Sequence, residues 1–299
     1  MGRVEVERVR QLRFDDGEPV RAASAIAALA DGWLVAQDDA AHAAWVRPGS
    51  VSRLRVVPPV EGHDVFSDDA GTKHLKPDLE AACAVPGGRV LLLGSGSTPA
   101  RMRGVVVDAG GSRAGDLTPV YEAVARLLDR AGDRLNLEGA CVVRGRLRWF
   151  ARGNLAAGVP SASVDLDLPA LLAGLAGGPL RDVGMSSSRT YDLGAVDGVG
   201  LAVTDAVALP DGRVLVSAAA EDTPNPVDDG PVVAAALALL DGERVLEVLP
   251  LPDVDGRVAK VEGLALLEEP SGGVRLIAVV DDDDTQAPSA ELVLRVDWS

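Results

Sequence analysis

The chain is short of positive charge, of cysteine, of histidine and of long apolar runs, and each shortage closes off a class of function. Lys and Arg number 29 against 45 Asp and Glu, a net charge of −16, so a nucleic-acid partner is not expected: binding phosphate backbones requires cations to replace condensed counterions. Two cysteines, Cys83 and Cys141, cannot supply a disulfide framework. No stretch approaches the roughly 20 apolar residues that cross a bilayer as a helix, and no membrane association is expected. The opening MGRVEVERVRQLRF alternates charged and apolar residues without the run of about seven apolar residues of a secretory signal, so it reads as a strand and the expected location is cytoplasmic. There is no Gly-x-Ser-x-Gly elbow, and His42 and His63 fall in loops without a recognisable catalytic partner.

What the chain has in quantity is small apolar residues and turns. Apolar residues make up 47% of it, ample for a core, and 33 Gly and 19 Pro supply punctuation. Five stretches restart one pattern: SAIAALADGWLVA from Ser24, EAACAVPGGRVLLLG from Glu80, EGACVVRGRLRWFA from Glu138, DAVALPDGRVLVS from Asp205 and EGLALLEEPSGGVRLIAVV from Glu262. Each has a polar start, small apolar residues at every second position, a turn and a second apolar strand. The starts lie 56, 58, 67 and 57 residues apart, which is blade spacing.

The expected fold is therefore all-β, a five-bladed β-propeller spanning residues 1–299 as one domain. Small residues on the packed face of each innermost strand have a steric cause, because neighbouring blades converge on the axis. Cys83 and Cys141 occupy such positions and read as small buried residues. Six blades remain the alternative if Gly184 to Val203 hides a degenerate repeat. Third and fourth strands are read in HAAWVRPG and SVSRLRVVPP, in ARMRGVVVDAG, in SASVDLDL and TYDLGAVDG, and in VVAAALALLDG and RVLEVLPLP. The last repeat has ELVLRVDW but no fourth strand, so VEVERVRQLRF at the N-terminus is expected to fill that place and close the ring. Helical insertions are expected over Asp116 to Asn136, capped by Thr118 and packed on the outside through Val120, Val124, Leu127 and Leu128, and over Asp167 to Gly178.

In an up-and-down blade the start of the first strand and the end of the second emerge on the same face. The starts should therefore neighbour Gln37, Asp38 and Asp39, Ser95 and Ser97, Arg152 and Asn154, Glu221 and Asp222, and Asp281 to Asp284 around one mouth of the channel. Carboxylates gathered about an axis repel unless protonated, paired with a base or bridged by a cation. Calcium suits such a ring, taking six to eight oxygen ligands in flexible geometry, and Glu80, Glu138, Asp205 and Glu262 are the expected ligands. The competing reading is that each start caps backbone groups at the neighbouring blade. Ser24 breaks the acidic series. Lys76, Ser95, Ser97, Arg101, Arg152 and Asn154 are expected to hold an anionic ligand, and the GSGSTP loop has the backbone and hydroxyl donors that suit phosphate. Any histidine base would be His74, oriented by Asp78 or Glu80.

NLEGA at Asn136 to Ala140 and KVEGLAL at Lys260 to Leu266, followed by IAVVDDDD, resemble motifs of phytase-like and esterase-like bacterial β-propellers, in which a Glu-Gly start precedes a strand ending in an Asp-rich loop. The likeness covers the repeat starts and second strands. It implies an acidic, calcium-filled mouth and hydrolysis of an ester or phosphoester. The alternative is a non-catalytic propeller that binds a protein or small molecule.

Overall fold

A computed structural model describes residues 2–130, 135–224, 230–270, 272–281 and 287–298. Five antiparallel sheets form blades about one axis. Blade 1 comprises β2 (Ala23–Leu29), β3 (Gly32–Gln37), β4 (His42–Arg47) and β5 (Ser50–Arg55). Blade 2 comprises β6 (Leu79–Val85), β7 (Arg89–Gly94), β8 (Arg103–Asp108) and β9 (Gly111–Asp116), the last of which carries no strand signal beyond its turn residues. Blade 3 comprises β10 (Leu137–Val143), β11 (Arg146–Ala151), β12 (Ser161–Leu166) and β13 (Met185–Tyr191). Blade 4 comprises β15 (Val199–Ala208), β16 (Val214–Glu221), β17 (Val232–Asp241) and β18 (Arg244–Pro250), with the two-residue β14 (Ala195–Val196) appended to β15. Gly184 to Val203 therefore holds the outer strand of blade 3 and the entry to blade 4, and there are five blades. The fourth strand of blade 3 begins at Met185, ahead of the TYDLGAVDG expected for it.

Blade 5 combines β19 (Val261–Glu268), β20 (Gly273–Val280) and β21 (Ala290–Asp297) with β1 (Arg3–Gln11), which pairs with β21 from Arg3 opposite Asp297 to Gln11 opposite Ala290. The expected closure by the two ends of the chain is thus present. Innermost strands β2, β6, β10, β15 and β19 each touch the next, and β19 touches β2. Second strands are buried almost throughout, as their continuous apolar runs require, whereas β1 and β9 are largely exposed and β5 is half-buried.

Both helical insertions form, with different details. α1 spans Thr118–Leu127, with Thr118 as its first residue and Leu117, not Thr118, at the cap position; Asp116 Oδ1, one residue earlier, accepts from Thr118 N at 2.8 Å. Its buried face is Val120, Tyr121 and Val124, while Leu127 is exposed. α1 sits against blades 2 and 3 rather than merely outside them: Tyr121 meets Trp149 edge-on at 4.7 Å and donates its hydroxyl to Gly94 O at 2.7 Å. α2 spans Leu168–Leu175, capped by Asp167. No helix among the described residues is long and apolar enough to cross a membrane.

α1 also explains the second glycine of the GSGSTP loop. Gly96 adopts φ +74, and a Cβ there would lie 2.3 Å from Tyr121 Cδ1. Gly96→Ala is expected to destabilise the protein by about 2 to 4 kcal/mol, from left-handed backbone strain plus overpacking. Chemical denaturation measures this, and a change below about 0.5 kcal/mol contradicts the assignment.

Candidate functional site

Each innermost strand carries a register shift at its start, between Ala23 and Ala25, Leu79 and Ala81, Leu137 and Gly139, Val203 and Asp205, and Val261 and Gly263. The bulged residues are Ser24, Glu80, Glu138, Thr204 and Glu262. A bulge takes one residue out of the ladder and re-aims its side chain. In blade 4 the start is thus Thr204, and Asp205 lies one position further on, where the other blades have Ala25, Ala81, Gly139 and Gly263. Aligning the repeats by acidity slipped blade 4 by one residue.

The correction divides the starts by chemistry. Ser24 Oγ donates to Leu79 O at 2.5 Å and Thr204 Oγ1 to Val261 O at 2.6 Å, each reaching the residue before the start of the next blade. The two hydroxyl starts therefore cap backbone, and Ser24 marks no special sector of the mouth. Asp205 is fully buried, accepts from Leu264 N at 2.6 Å, and meets the backbone N–H groups of Ala206 and Ala140. It braces β10 and β19 instead of joining a ring of metal ligands. Burial pushes its carboxyl well above the usual range.

The three glutamate starts lie in two charged clusters. At blades 1 and 2, Lys76 pairs with Asp38 and, at 2.6 Å, with Asp78 Oδ1; Asp78 Oδ2 meets Ser95 Oγ and, at 3.0 Å, Arg101 Nη1. Arg101 Nη1 also donates to Ser97 Oγ at 2.8 Å, and the two serine hydroxyls are 2.8 Å apart. Carboxylate oxygens of Asp38, Asp78 and Glu80 come within 4.8 Å of one another. Burial and the charges of Asp78 and Asp38 push the Glu80 carboxyl well up, against the pull of Lys76. Asp39 is pushed up to about 7 by burial and by Asp38. Burial disfavours the Lys76 ammonium, but Asp38, Asp78 and Glu80 outweigh that and raise its pKa.

Across blades 3 to 5, Glu138 Oε1 accepts from Asn136 Nδ2 at 2.7 Å and from Arg152 Nη1 at 3.1 Å. Arg152 Nη2 reaches Glu221 Oε2 at 2.5 Å, and Lys260 bridges Glu221 Oε1 at 3.0 Å and Glu262 Oε1 at 2.8 Å. Glu138 is buried and its Oε2 has no partner. Burial lifts its carboxyl to about 8; Arg152 opposes this and Glu262 adds to it. Glu221 is held low: burial works against its charge, but Arg152 and Lys260 prevail. Much of the expected repulsion is thus relieved by bases already in the chain.

Other expected site residues are engaged differently from expectation. Asn154 closes its own turn by accepting from Ala157 N at 2.9 Å, and ties that turn to the loop after β16 by donating to Thr223 O at 2.9 Å. His74 lies exposed in a short turn, Lys73–Leu75, and its side chain makes no hydrogen bond or ion pair, so neither Asp78 nor Glu80 orients it. The loop hydroxyls of Ser95 and Ser97 are engaged with Asp78 and Arg101 instead of facing outward as a phosphate cradle. Asp281 accepts from Ala22 N at 3.1 Å and Ser289 Oγ at 2.7 Å; Asp282, Asp283 and Asp284 lie outside the described residues. Asn136, whose amide orients Glu138, was missed. The period of two was the signal, because Asp78, Asn136 and Lys260 each stand two residues before a glutamate start and join the cluster of that start.

For a divalent cation, Asp38, Asp78 and Glu80 have suitable chemistry: three carboxylates of convergent oxygens that now hold a positive charge in the Lys76 ammonium. Glu138 and Glu262 fit less well, since Arg152 and Lys260 neutralise them at hydrogen-bond distance.

No curated protein matches the chain. Among solved structures it is similar to a hypothetical protein from Leishmania major at 15% identity, covering 98% of this chain and 91% of that one with a TM-score of 0.48. An endo-arabinase from Bacteroides thetaiotaomicron is similar at 9% identity, with 97% and 98% covered and a TM-score of 0.47. A luciferin-regenerating enzyme is similar at 13% identity, with 94% and 79% covered and a TM-score of 0.44. One family model, described as a family of unknown function (DUF6910), matches residues 72–285, and the chain belongs to that family.

Proposed function

We propose that the channel mouth is a cation-dependent site for a small anionic ligand, with Asp38, Asp78 and Glu80 holding the cation and Arg101 and Lys76 the anionic group. The observation that carries this reading is the approach of three carboxylates to within 4.8 Å of one another beside two bases. Lys76 places its ammonium against Asp38 and Asp78, and its flexible stem would let that charge turn to the ligand when a cation binds. A bound calcium ion supplies Lewis-acid polarisation of an ester or phosphoester oxygen. Glu138 is the group suited to proton transfer: burial lifts its carboxyl to about 8, and Oε2 is uncommitted. Proton transfer thereby moves from His74 to Glu138, and the cation ligands move from the four expected starts to Glu80 with two aspartates.

Calorimetry with calcium tests the site. Wild-type protein is expected to bind in the millimolar range or tighter, and Asp38→Asn and Glu80→Gln to bind at least about tenfold more weakly. Absence of binding at millimolar calcium, or equal binding by both variants, removes the cation from the reading. The second reading, a non-catalytic ligand-binding propeller, is favoured by the pairing of Arg152 and Lys260 with Glu138, Glu221 and Glu262, which leaves that half of the mouth neutralised. A panel of nitrophenyl esters and phosphoesters separates the two: turnover that calcium stimulates and Glu138→Gln abolishes supports catalysis, and calcium binding without turnover supports the binding protein.

A further inference from the structure

We infer that the groove beside the end of α1, away from the charged mouth, is a second binding site built around Arg130, for the carboxylate or phosphate of a small ligand. The groove encloses about 480 Å³, and its lining includes Arg130, Pro160, Ser188, Arg189, Thr190 and Glu243. Local structure dictates where Arg130 goes. Asp129 takes φ +53, its N–H bonds Arg126 O at 3.3 Å, and Arg130 N bonds Ala125 O at 2.9 Å. This is the two-bond helix stop that reverses the chain direction, and it turns the Arg130 side chain inward.

There Nη1 donates to Arg152 O at 2.8 Å and Nη2 to Pro160 O, while among the described residues no carboxylate pairs with the guanidinium. A guanidinium has five N–H donors, so most of its capacity is unspent. Arg130 is only 6% exposed, and in a chain of net charge −16 a buried arginine without a counterion is an exception. Arg148, by contrast, meets Asp165 at 2.8 Å, and Arg189 meets the same carboxylate at 2.9 Å. Burial lowers the pKa of Arg130 to about 10, the direction expected when a charge is taken out of water without a counterion. A carboxylate or phosphate edge matches the planar fork and restores the missing charge. Ser188 and Thr190, two apart on β13 and exposed, add hydroxyl donors. Asp129 and Glu243 also line the groove, so a ligand with a single anionic group is preferred to a polyanion.

Titration of the full-length chain with sodium acetate and with inorganic phosphate, followed by calorimetry at low ionic strength, tests the site. At least one anion is expected to bind with a millimolar dissociation constant, and the stronger of the two identifies the headgroup. Thr190→Asp puts a negative charge in the groove without touching the Arg130 hydrogen bonds. It is expected to weaken binding at least about tenfold at unchanged Tm. Arg130→Gln is expected to lose binding. Failure of both anions to bind, or equal binding by wild type and Thr190→Asp, overturns the proposal. A loss of binding in Arg101→Gln but not in Thr190→Asp would place the anion at the mouth and likewise overturn it.

Discussion

Deleting residues 2–11 is expected to abolish monomeric folded protein. β1 supplies the fourth strand of blade 5, and without it β21 becomes an exposed edge of apolar residues, with Leu292, Leu294 and Val296 belonging to a buried cluster that Val4 and Val6 also pack against. Glu291, 2% exposed, would lose both its cations, Arg8 at 2.8 Å and Arg10 at 2.6 Å. Blade 4 is affected too, because Gly2 N donates to Glu247 Oε1 at 3.0 Å. Stranding a buried carboxylate costs about 3 to 5 kcal/mol, and the lost ladder and apolar contacts add to it, against a total stability of roughly 5 to 15 kcal/mol. The open edge also templates association. Size-exclusion chromatography and thermal melts read the result. A monomer melting within about 3 °C of wild type would show that the ring does not depend on its N-terminal strand.

The second large effect is expected at Arg152. Its guanidinium is 5% exposed and joins Glu138 to Glu221, so Arg152→Met leaves two buried carboxyls with only Lys260 nearby. The loss is about 3 to 5 kcal/mol near pH 8, or roughly 10 °C in Tm. Its pH dependence is the diagnostic part. Glu221 has a depressed pKa in the folded protein, so its stabilisation is present above its ordinary 4.5 and is lost as pH falls through the folded value. Glu138 has a raised pKa, so its penalty grows as pH rises from 4.5 to about 8. Without Arg152 both carboxyls take up protons more readily, and the deficit relative to wild type should shrink steadily from pH 8 towards pH 5. Glu138→Gln is the converse: more stable than wild type at pH 8, with no advantage at pH 4.5. A deficit in Arg152→Met that stays constant across this range would mean the residue acts through packing alone.

The two effects differ in how visible they were in the chain. The missing fourth strand of the last repeat and the alternation of VEVERVRQLRF were enough to anticipate closure, because strand count and period are local properties. The Arg152 network was only half visible. Arg152 and Glu138 both read as mouth residues, but their pairing with each other and with Glu221 depends on side-chain reach across blades.

Blade 4 is the instructive failure. Thr204 and Asp205 are adjacent, either is polar, and matching by charge selected the wrong one. The bulge decides between them, since one residue of offset sends a side chain to the mouth or into the packing between innermost strands. His74 failed for a related reason: nearness in sequence to Glu80 did not bring an exposed turn residue to the carboxylates.

Five blades, their small-residue faces and the acidic, base-flanked mouth follow from period, spacing and composition, because burial on a strand repeats every second residue and a blade repeats every 56 residues or so. Which acids are paired, which are left with raised pKa values, and which polar residues merely brace the backbone were decided by tertiary structure. Those properties depend on distances between residues far apart in the chain, on the bulge that sets each start, and on how completely water is excluded. None of these quantities is periodic, so no reading of the repeat could contain them.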